Sequence, residues 1–272
     1  MPPPFSSAFQ KIERANKHIR DFDSAFQAFV QSRPYRFHTD GRMDTCPVCI
    51  IFDKPVPDEL MLILGDAIHN LRTALDHATW ELAGYDGTQD DKTQFPFPRS
   101  NQKDYEGWLR RIIPAAPQDT IDLFMDLAAY RGGRGSPLFE LHRLDIDDKH
   151  LVIVPVIERC RVSGIRLKRQ DMNTGEVVET SVPDTDVDIA MEDVGYHIGQ
   201  ARGLGFLGQG LSVTRNPLGD SVQLDDDLKI APSIFFRDVQ PFPGEPILPT
   251  LLHLSDLVRE VIWKFQSLIA ER

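Results

Sequence analysis

One predicted helix concentrates the side chains best suited to chemistry. The stretch "LGDAIHNLRTALDHATWEL", residues 64–82, carries on its polar side, within nine residues, His69, Asn70, Arg72, Asp76 and His77. Lysine, the usual residue of a solvated helix surface, is absent between Lys54 and Lys92. We interpret the polar face as a functional site; the alternative interpretation is an ordinary solvated helix face.

Arg72 and His77 form the pair with the clearest chemistry. An arginine is always cationic and binds a phosphate through two parallel hydrogen bonds. A histidine titrates near neutral pH and transfers protons. Together the two residue types meet the needs of metal-free RNA cleavage. Five residues apart, however, their side chains diverge by about 140° around a helix, which favours a composite site across a dimer.

Other helices are predicted around this one. A stripe of apolar residues three and four apart predicts a helix over residues 5–30, ended by Pro34. Residues 35–53, with Asp40-Gly41 in the middle, are typical of a β-hairpin. The quoted helix is predicted to begin near Pro57-Asp58 and to stop at Gly84. Further helices are predicted over residues 103–112, after Pro117, and from Ser136 through Lys149.

The pattern changes after residue 150. Short β-branched runs separated by turn residues predict antiparallel strands between residues 151 and 240, and an apolar stripe predicts a last helix from about Pro249. The expected class is α+β: a helical bundle with a small hairpin (residues 1–150), an antiparallel β insertion (151–245) and a C-terminal helix that completes the bundle (246–272).

Composition narrows the function classes. A hydrophobic fraction of 41% and a charged fraction of 26% are those of a globular protein. The net charge of −11 argues against a protein that binds nucleic acid over its whole surface. It does not argue against a local basic cleft. No apolar run is long enough to span a membrane, no secretory signal is recognised, and three cysteines do not make a disulfide framework. We expect a cytoplasmic protein without membrane association.

The hexapeptide "RTALDH", Arg72 to His77, resembles the R-x4-6-H motif of the HEPN superfamily, helical-bundle proteins that are often metal-independent ribonucleases. The longer phrase "GDAIHNLRTALDH", followed by "DKH" at Asp148 to His150, resembles a recurrent signature of bacterial proteins. The resemblance implies a helical bundle, a homodimer with a cleft, and catalytic roles for Arg72 and His77. One position departs from the motif: the residue after the arginine is usually polar, often asparagine, and here it is Thr73.

A second cluster lies in "ELHRLDIDDKH", residues 140–150. Lys149 and His150 are favourable at the negative end of a helix dipole, and this is the structural interpretation of both residues. The aspartates at the same end are not favoured by the dipole. Asp148 can instead orient Arg72 or His77 if the two helices pack together. Upstream, the glycine-rich "RGGRG" offers Arg131 and Arg134 as phosphate contacts, with a solvated turn as the alternative.

Other motifs are given no role. The "CPVC" of Cys46 and Cys49 has no second ligand pair and is interpreted as part of a strand, although metal binding there stays open. The glycine-rich "GLGFLGQG", residues 203–210, lacks the lysine of a P-loop. No metal and no cofactor is expected.

The functional hypothesis is a metal-independent HEPN-like endoribonuclease, in phage defence or a toxin–antitoxin system, with RNA as substrate and an antitoxin or defence protein as a partner. Arg72 and His77 are the expected catalytic pair, and the expected supporting residues are His69, Asn70, Asp76, Asp148, Lys149 and His150. The alternative is a non-catalytic module of the same fold for dimerisation or for nucleotide or RNA binding. A metal-dependent hydrolase ranks third.

Overall fold

The protein belongs to the α+β class. A computed structural model describes residues 3–39, 45–52, 54–98, 104–150, 153, 155–163, 166–170, 177–181, 185–188, 211–214, 221–223, 229–237 and 240–272. Within these ranges its helices are α1 (Ser6–Gln31), α2 (Asp58–Asp86), α3 (Tyr105–Ile112), α4 (Gln118–Leu127), α5 (Ser136–His150) and α6 (Ile247–Ala270). Each predicted helix is confirmed, with bounds that differ by a few residues. None of the helices in these ranges is long and apolar enough to cross a membrane.

The helix α2 does not end at Gly84, as its sequence predicts, but continues to Asp86. The residue that ends it is Gly87, whose φ of 65° lies in the left-handed region. The Gly87 N–H donates to the Gly84 carbonyl at 3.3 Å, and the Thr88 N–H donates to the Ala83 carbonyl at 2.9 Å. The second of the two glycines therefore caps the helix, and the first lies inside it.

The apolar stripe of α2 is buried throughout, as its spacing predicts. This stripe packs in a helical core to which α5 and α6 contribute. At one end of that core the Phe265 ring of α6 lies 6.2 Å from the Phe5 ring and 5.7 Å from the Phe124 ring of α4. Because the apolar stripe of α2 is buried in this core, the polar side of the helix is the side available for other contacts.

The strands form three small sheets within the described ranges. They are β1 (Tyr35–Thr39), β2 (Thr45–Phe52), β3 (Pro155–Ser163), β4 (Arg166–Gln170), β5 (Val177–Ser181), β6 (Thr185–Asp188), β7 (Leu211–Thr214), β8 (Ser221–Gln223) and β9 (Lys229–Phe236). The sheet orders are β1-β2-β7, β6-β3-β9 and β5-β4-β8. The predicted hairpin is confirmed by the antiparallel β1–β2 register, which pairs Tyr35 with Phe52.

The chain divides into two compact units, one of residues 1–25, 58–154 and 236–272 and the other of residues 26–57 and 155–235. The sequence-based prediction placed the hairpin with the helices, in residues 1–150. In the structure β2 pairs with β7, a strand of the segment predicted as the β insertion, because strand edges pair with other strands whatever their distance in sequence. Asp40-Gly41 and residues 203–210 lie outside the described residues.

Candidate functional site

The polar side of α2 packs against α5 and forms what we call the polar seam. Its members are His69, Arg72 and Asp76 from α2, and His142, Asp145, Asp148 and Lys149 from α5. Two of these charged side chains are almost completely buried, since Arg72 is 5% exposed and Asp145 is 3% exposed. Charged side chains are rarely buried so far without partners. The part of the polar face of α2 around Arg72 is therefore an inter-helix contact, whereas the His69 side chain is 53% exposed.

Arg72 is enclosed by three different groups. Its Nε donates a hydrogen bond to His142 Nδ1 at 3.1 Å. Its Nη1 forms an ion pair with Asp76 Oδ1, one helical turn away on α2, but the N–H directions are not aligned for a hydrogen bond. Its Cζ lies 4.8 Å from the centre of the Phe97 ring, which is a cation–π distance. The guanidinium group is thus held inside the chain.

His142 is held in its neutral form. Because Nδ1 accepts the hydrogen bond from Arg72, the hydrogen-bond network places the ring proton on Nε2. The ring stacks on Phe97, with the two ring centres 4.6 Å apart and the planes 4° from parallel. Burial, and then the neighbouring Arg72 charge, lower the pKa of His142 to about 4. At neutral pH this imidazole is an uncharged partner of the guanidinium.

A second histidine of the seam has a different environment. His69 Nδ1 lies 2.9 Å from Oδ1 of the buried Asp145 carboxylate. The other oxygen of that carboxylate accepts a hydrogen bond from Lys149 Nζ at 2.5 Å. The His69 and Lys149 side chains are each 53% exposed, and Thr73 Oγ1 is 3.4 Å from His69 Nε2. One buried carboxylate therefore holds an imidazole and an ammonium group side by side at the surface.

Asp148 packs against α2 at a glycine. A Cβ atom on Gly65 would lie 2.5 Å from Asp148 Oδ1, closer than atoms pack. Burial, together with the charges of Asp145 and Asp66, raises the pKa of Asp148. The sequence interpretation of Asp148 as a residue that orients Arg72 or His77 gains no contact here, because Asp148 faces Gly65.

His77 lies on a different side of α2 from Arg72. No hydrogen bond or ion pair joins these two described residues. The Arg72 side chain is directed to α5. The charge that acts on His77 from another helix is that of Lys11 on α1. Burial and Lys11 lower the pKa of His77, so its imidazole is neutral near pH 7. The structure therefore does not bring the motif pair together within one chain.

The remaining predicted site residues, except Asp76, are not among the partners of Arg72. Asn70 Nδ2 donates to the Asp66 carbonyl of its own helix at 2.8 Å. Arg134 is paired with Asp126 at 2.6 Å, and Arg131 and His150 are exposed. Asp76 has a further structural role, because its Oδ1 accepts the Phe95 N–H at 2.9 Å.

Metal ligation gains no support within the described ranges, where no group of three or more His, Cys, Asp and Glu side chains is arranged to share an ion. Cys46 and Cys49 both belong to β2, but their side chains lie outside the described residues. The Cys160 side chain is buried, and its Sγ donates to the Arg161 carbonyl at 3.7 Å.

The sequence interpretation gave no role to three residues of this region, His142, Asp145 and Phe97. A signal for the first two was present in the spacing: His142, Asp145 and Lys149 are three and four residues apart, so they share one face of a helix. No comparable pattern points to Phe97, which reaches Arg72 from the loop after α2.

The comparisons give no match. Neither protein-family models, nor curated proteins, nor solved structures match this chain. The chemistry of the polar seam is accordingly the basis on which function is inferred.

Proposed function

We propose that this chain is a metal-independent endoribonuclease of the HEPN type, with the polar seam as the centre of its catalytic surface. The observation that carries the proposal is the composition of the seam: a buried guanidinium, an exposed lysine ammonium and an exposed imidazole lie on two packed helices. Cations beside a histidine are the groups that metal-free phosphodiester cleavage requires.

By resemblance to the R-x4-6-H motif, Arg72 stabilises the phosphate and His77 transfers a proton. The lowered pKa of His77 supports the second role, because a neutral imidazole accepts a proton at neutral pH. For Arg72 to contact a phosphate, the Phe97 ring that covers its guanidinium has to move aside. A homodimer, as in the family that the motif resembles, would supply the rest of the cleft.

The test is a cleavage assay on total RNA and tRNA in EDTA. We expect wild-type protein to cleave RNA and to leave 2′,3′-cyclic phosphate ends. On the assignment that the motif gives, Arg72→Ala and His77→Ala are each expected to lower the rate about 10²- to 10⁴-fold. Arg110→Ala and His253→Ala, on exposed parts of α3 and α6, are the matched controls and retain the wild-type rate.

Because Arg72 is buried, Arg72→Lys and a thermal unfolding curve for each variant separate loss of chemistry from loss of fold. Folded wild-type protein that cleaves no RNA would rule out this function. Cleavage that EDTA abolishes would point instead to a metal-dependent hydrolase.

A second candidate function, a non-catalytic binding or dimerisation module, is favoured by one observation: Arg72 is already engaged by Asp76, His142 and Phe97. A guanidinium neutralised in this way stabilises the α2–α5 contact without reaching a ligand. For this function we expect no cleavage, and a dimer in light scattering that dissociates in His77→Ala but not in His253→Ala. A monomeric wild-type protein would contradict the dimerisation role.

A further inference from the structure

We infer that His69 is the proton-transfer residue of the polar seam, that Asp145 positions it, and that Lys149 binds the scissile phosphate. The inference rests on the proposed ribonuclease function and replaces one of its assignments, because the motif assigns proton transfer to His77. Under the inference the loss of rate follows His69→Ala and not His77→Ala. His69 and His77 are eight residues apart, about 12 Å along the helix axis, so the two imidazoles cannot both serve one phosphorus atom.

The surroundings of the His69 ring fix its orientation. A general base needs one ring nitrogen fixed by an acceptor and the other free for substrate. Asp145 Oδ1 lies 2.9 Å from His69 Nδ1, and the carboxylate is 4% exposed, whereas the imidazole is 53% exposed. Among the described residues, the hydrogen-bond contact of the Nε2 atom is a long one, 3.4 Å to Thr73 Oγ1. His69 therefore has the arrangement of an oriented base, with Asp145 as the positioning residue.

Lys149 is the exposed cation next to His69. Lys149 Nζ is bound to the second oxygen of the same Asp145 carboxylate at 2.5 Å, and its side chain is 53% exposed. Arg72 is only 5% exposed, so its guanidinium reaches solvent only if the Phe97 ring moves aside. Of the two cations, the Lys149 ammonium is therefore the one exposed for a phosphate that binds beside His69. The charges of Asp145 and Lys149 from α5 and of Asp66 from α2 act on Asp148 in the same part of the contact.

The reaction balances with these groups alone. His69 Nε2 accepts the proton of a ribose 2′-hydroxyl, and the 2′ oxygen forms a bond to phosphorus. The bond from phosphorus to the 5′ oxygen breaks, and Lys149 donates a proton to that oxygen. The products carry a 2′,3′-cyclic phosphate and a 5′-hydroxyl, and the proton on His69 returns to Lys149 through solvent.

The experiment measures RNA cleavage in EDTA by the full chain. We expect His69→Ala to lower the rate about 10²- to 10⁴-fold, and added imidazole to restore part of it. Lys149→Ala is expected to lower the rate about 10²-fold. The matched controls are His253→Ala, an exposed histidine on α6, and Lys17→Ala, whose pair with Asp21 has the same 2.5 Å distance and a 54% exposed lysine.

Asp145→Asn tests positioning, because asparagine keeps an acceptor for His69 Nδ1 but removes the negative charge. We expect about a tenfold loss of rate in the otherwise wild-type chain, and a much smaller further loss in the His69→Ala background, because Asp145 acts through the His69 ring. A purely structural role of Asp145 would lower the rate equally in both backgrounds.

The outcomes separate the inference from the function on which it rests. Cleavage that survives in His69→Ala within threefold of wild type overturns the inference and leaves the ribonuclease function intact. Absence of cleavage by folded wild-type protein overturns both. If His69→Ala loses its fold, His69→Gln with the imidazole rescue decides the same question, because only a proton-transfer role is restored by imidazole.

Discussion

At the scale of single residues, the surroundings of each histidine decide what it does in the polar seam. His142 accepts a hydrogen bond from a guanidinium, whereas His69 lies against a carboxylate. Burial and the Arg72 cation disfavour the protonated form of the His142 imidazole. The neutral histidine serves to hold Arg72, and the exposed one is left for chemistry.

The low pKa of His142 predicts a pH dependence of stability. In the folded chain the pKa is about 4, against 6.5 for an unperturbed histidine, so the unfolded state binds the proton first. The contribution of His142 to the free energy of unfolding is complete above pH 6.5 and is lost as the pH falls towards about 4. We expect urea unfolding to depend less steeply on pH in this window for His142→Asn, which keeps an acceptor at Oδ1 and does not titrate.

The control for this prediction is His253→Asn, an exposed histidine on α6 that should keep the wild-type slope. Equal slopes for His142→Asn and wild type between pH 4 and 6.5 would show that His142 is not held neutral by its surroundings.

At the scale of elements, the contact between α2 and α5 depends on a glycine as much as on charge. Gly65 leaves the space into which the Asp148 carboxylate of α5 fits. The same helix contains Gly84, where an added Cβ would meet only the flexible Gln89 amide at 3.1 Å. Both glycines lie inside α2, where glycine is weaker than alanine by up to about 1 kcal/mol. The close packing of a neighbouring helix explains the presence of a glycine at Gly65, but not at Gly84.

Substituting these two glycines should have opposite effects. We expect Gly65→Ala to lower the free energy of unfolding by about 1–2 kcal/mol, because the Asp148 carboxylate is displaced. Gly84→Ala is expected to raise it by up to about 1 kcal/mol. Urea unfolding measures both, and the double variant Gly65→Ala with Asp148→Ala should recover the loss. A Gly65→Ala variant more stable than wild type would contradict the close contact.

At the scale of the whole molecule, helices distant in sequence meet in one helical unit. The last helix contacts earlier ones there: Ser255 Oγ of α6 donates to Asn16 Oδ1 of α1 at 2.7 Å, and Lys264 Nζ of α6 reaches Asp126 of α4 at 2.6 Å. The Phe265 ring joins α6 to Phe5 and Phe124. The unit that contains the polar seam is therefore completed only when α6 has been added to the earlier helices.

Phe265 should accordingly be among the most sensitive core positions. It is completely buried, and Phe265→Ala is expected to lower the free energy of unfolding by about 3–5 kcal/mol. Trp263→Ala on the same helix is the control, because that side chain is 53% exposed and its loss should cost about 1 kcal/mol or less. Comparable losses in the two variants, measured by thermal or urea unfolding, would contradict the packing of α6.

The sequence by itself determined the local elements. The apolar spacing in α1, α2 and α6, Ser136-Pro137 at the start of α5, and the β-branched runs after residue 150 specify structure through neighbours a few residues apart, where backbone geometry fixes the period. The same local reasoning selected the polar face of α2. It placed the end of that helix at the wrong glycine, because Gly84 and Gly87 differ only in the backbone conformation that the folded chain imposes.

Only the tertiary structure decided what the polar face contacts. Arg72 is turned towards His142 and Phe97 and away from His77, and Asp145 is the carboxylate that joins His69 to Lys149. His142 lies 70 residues from Arg72 along the chain, and Asp145 lies 76 residues from His69. Burial, ion pairing and the pKa of His142 all depend on those distant contacts, which residue spacing within one helix does not encode.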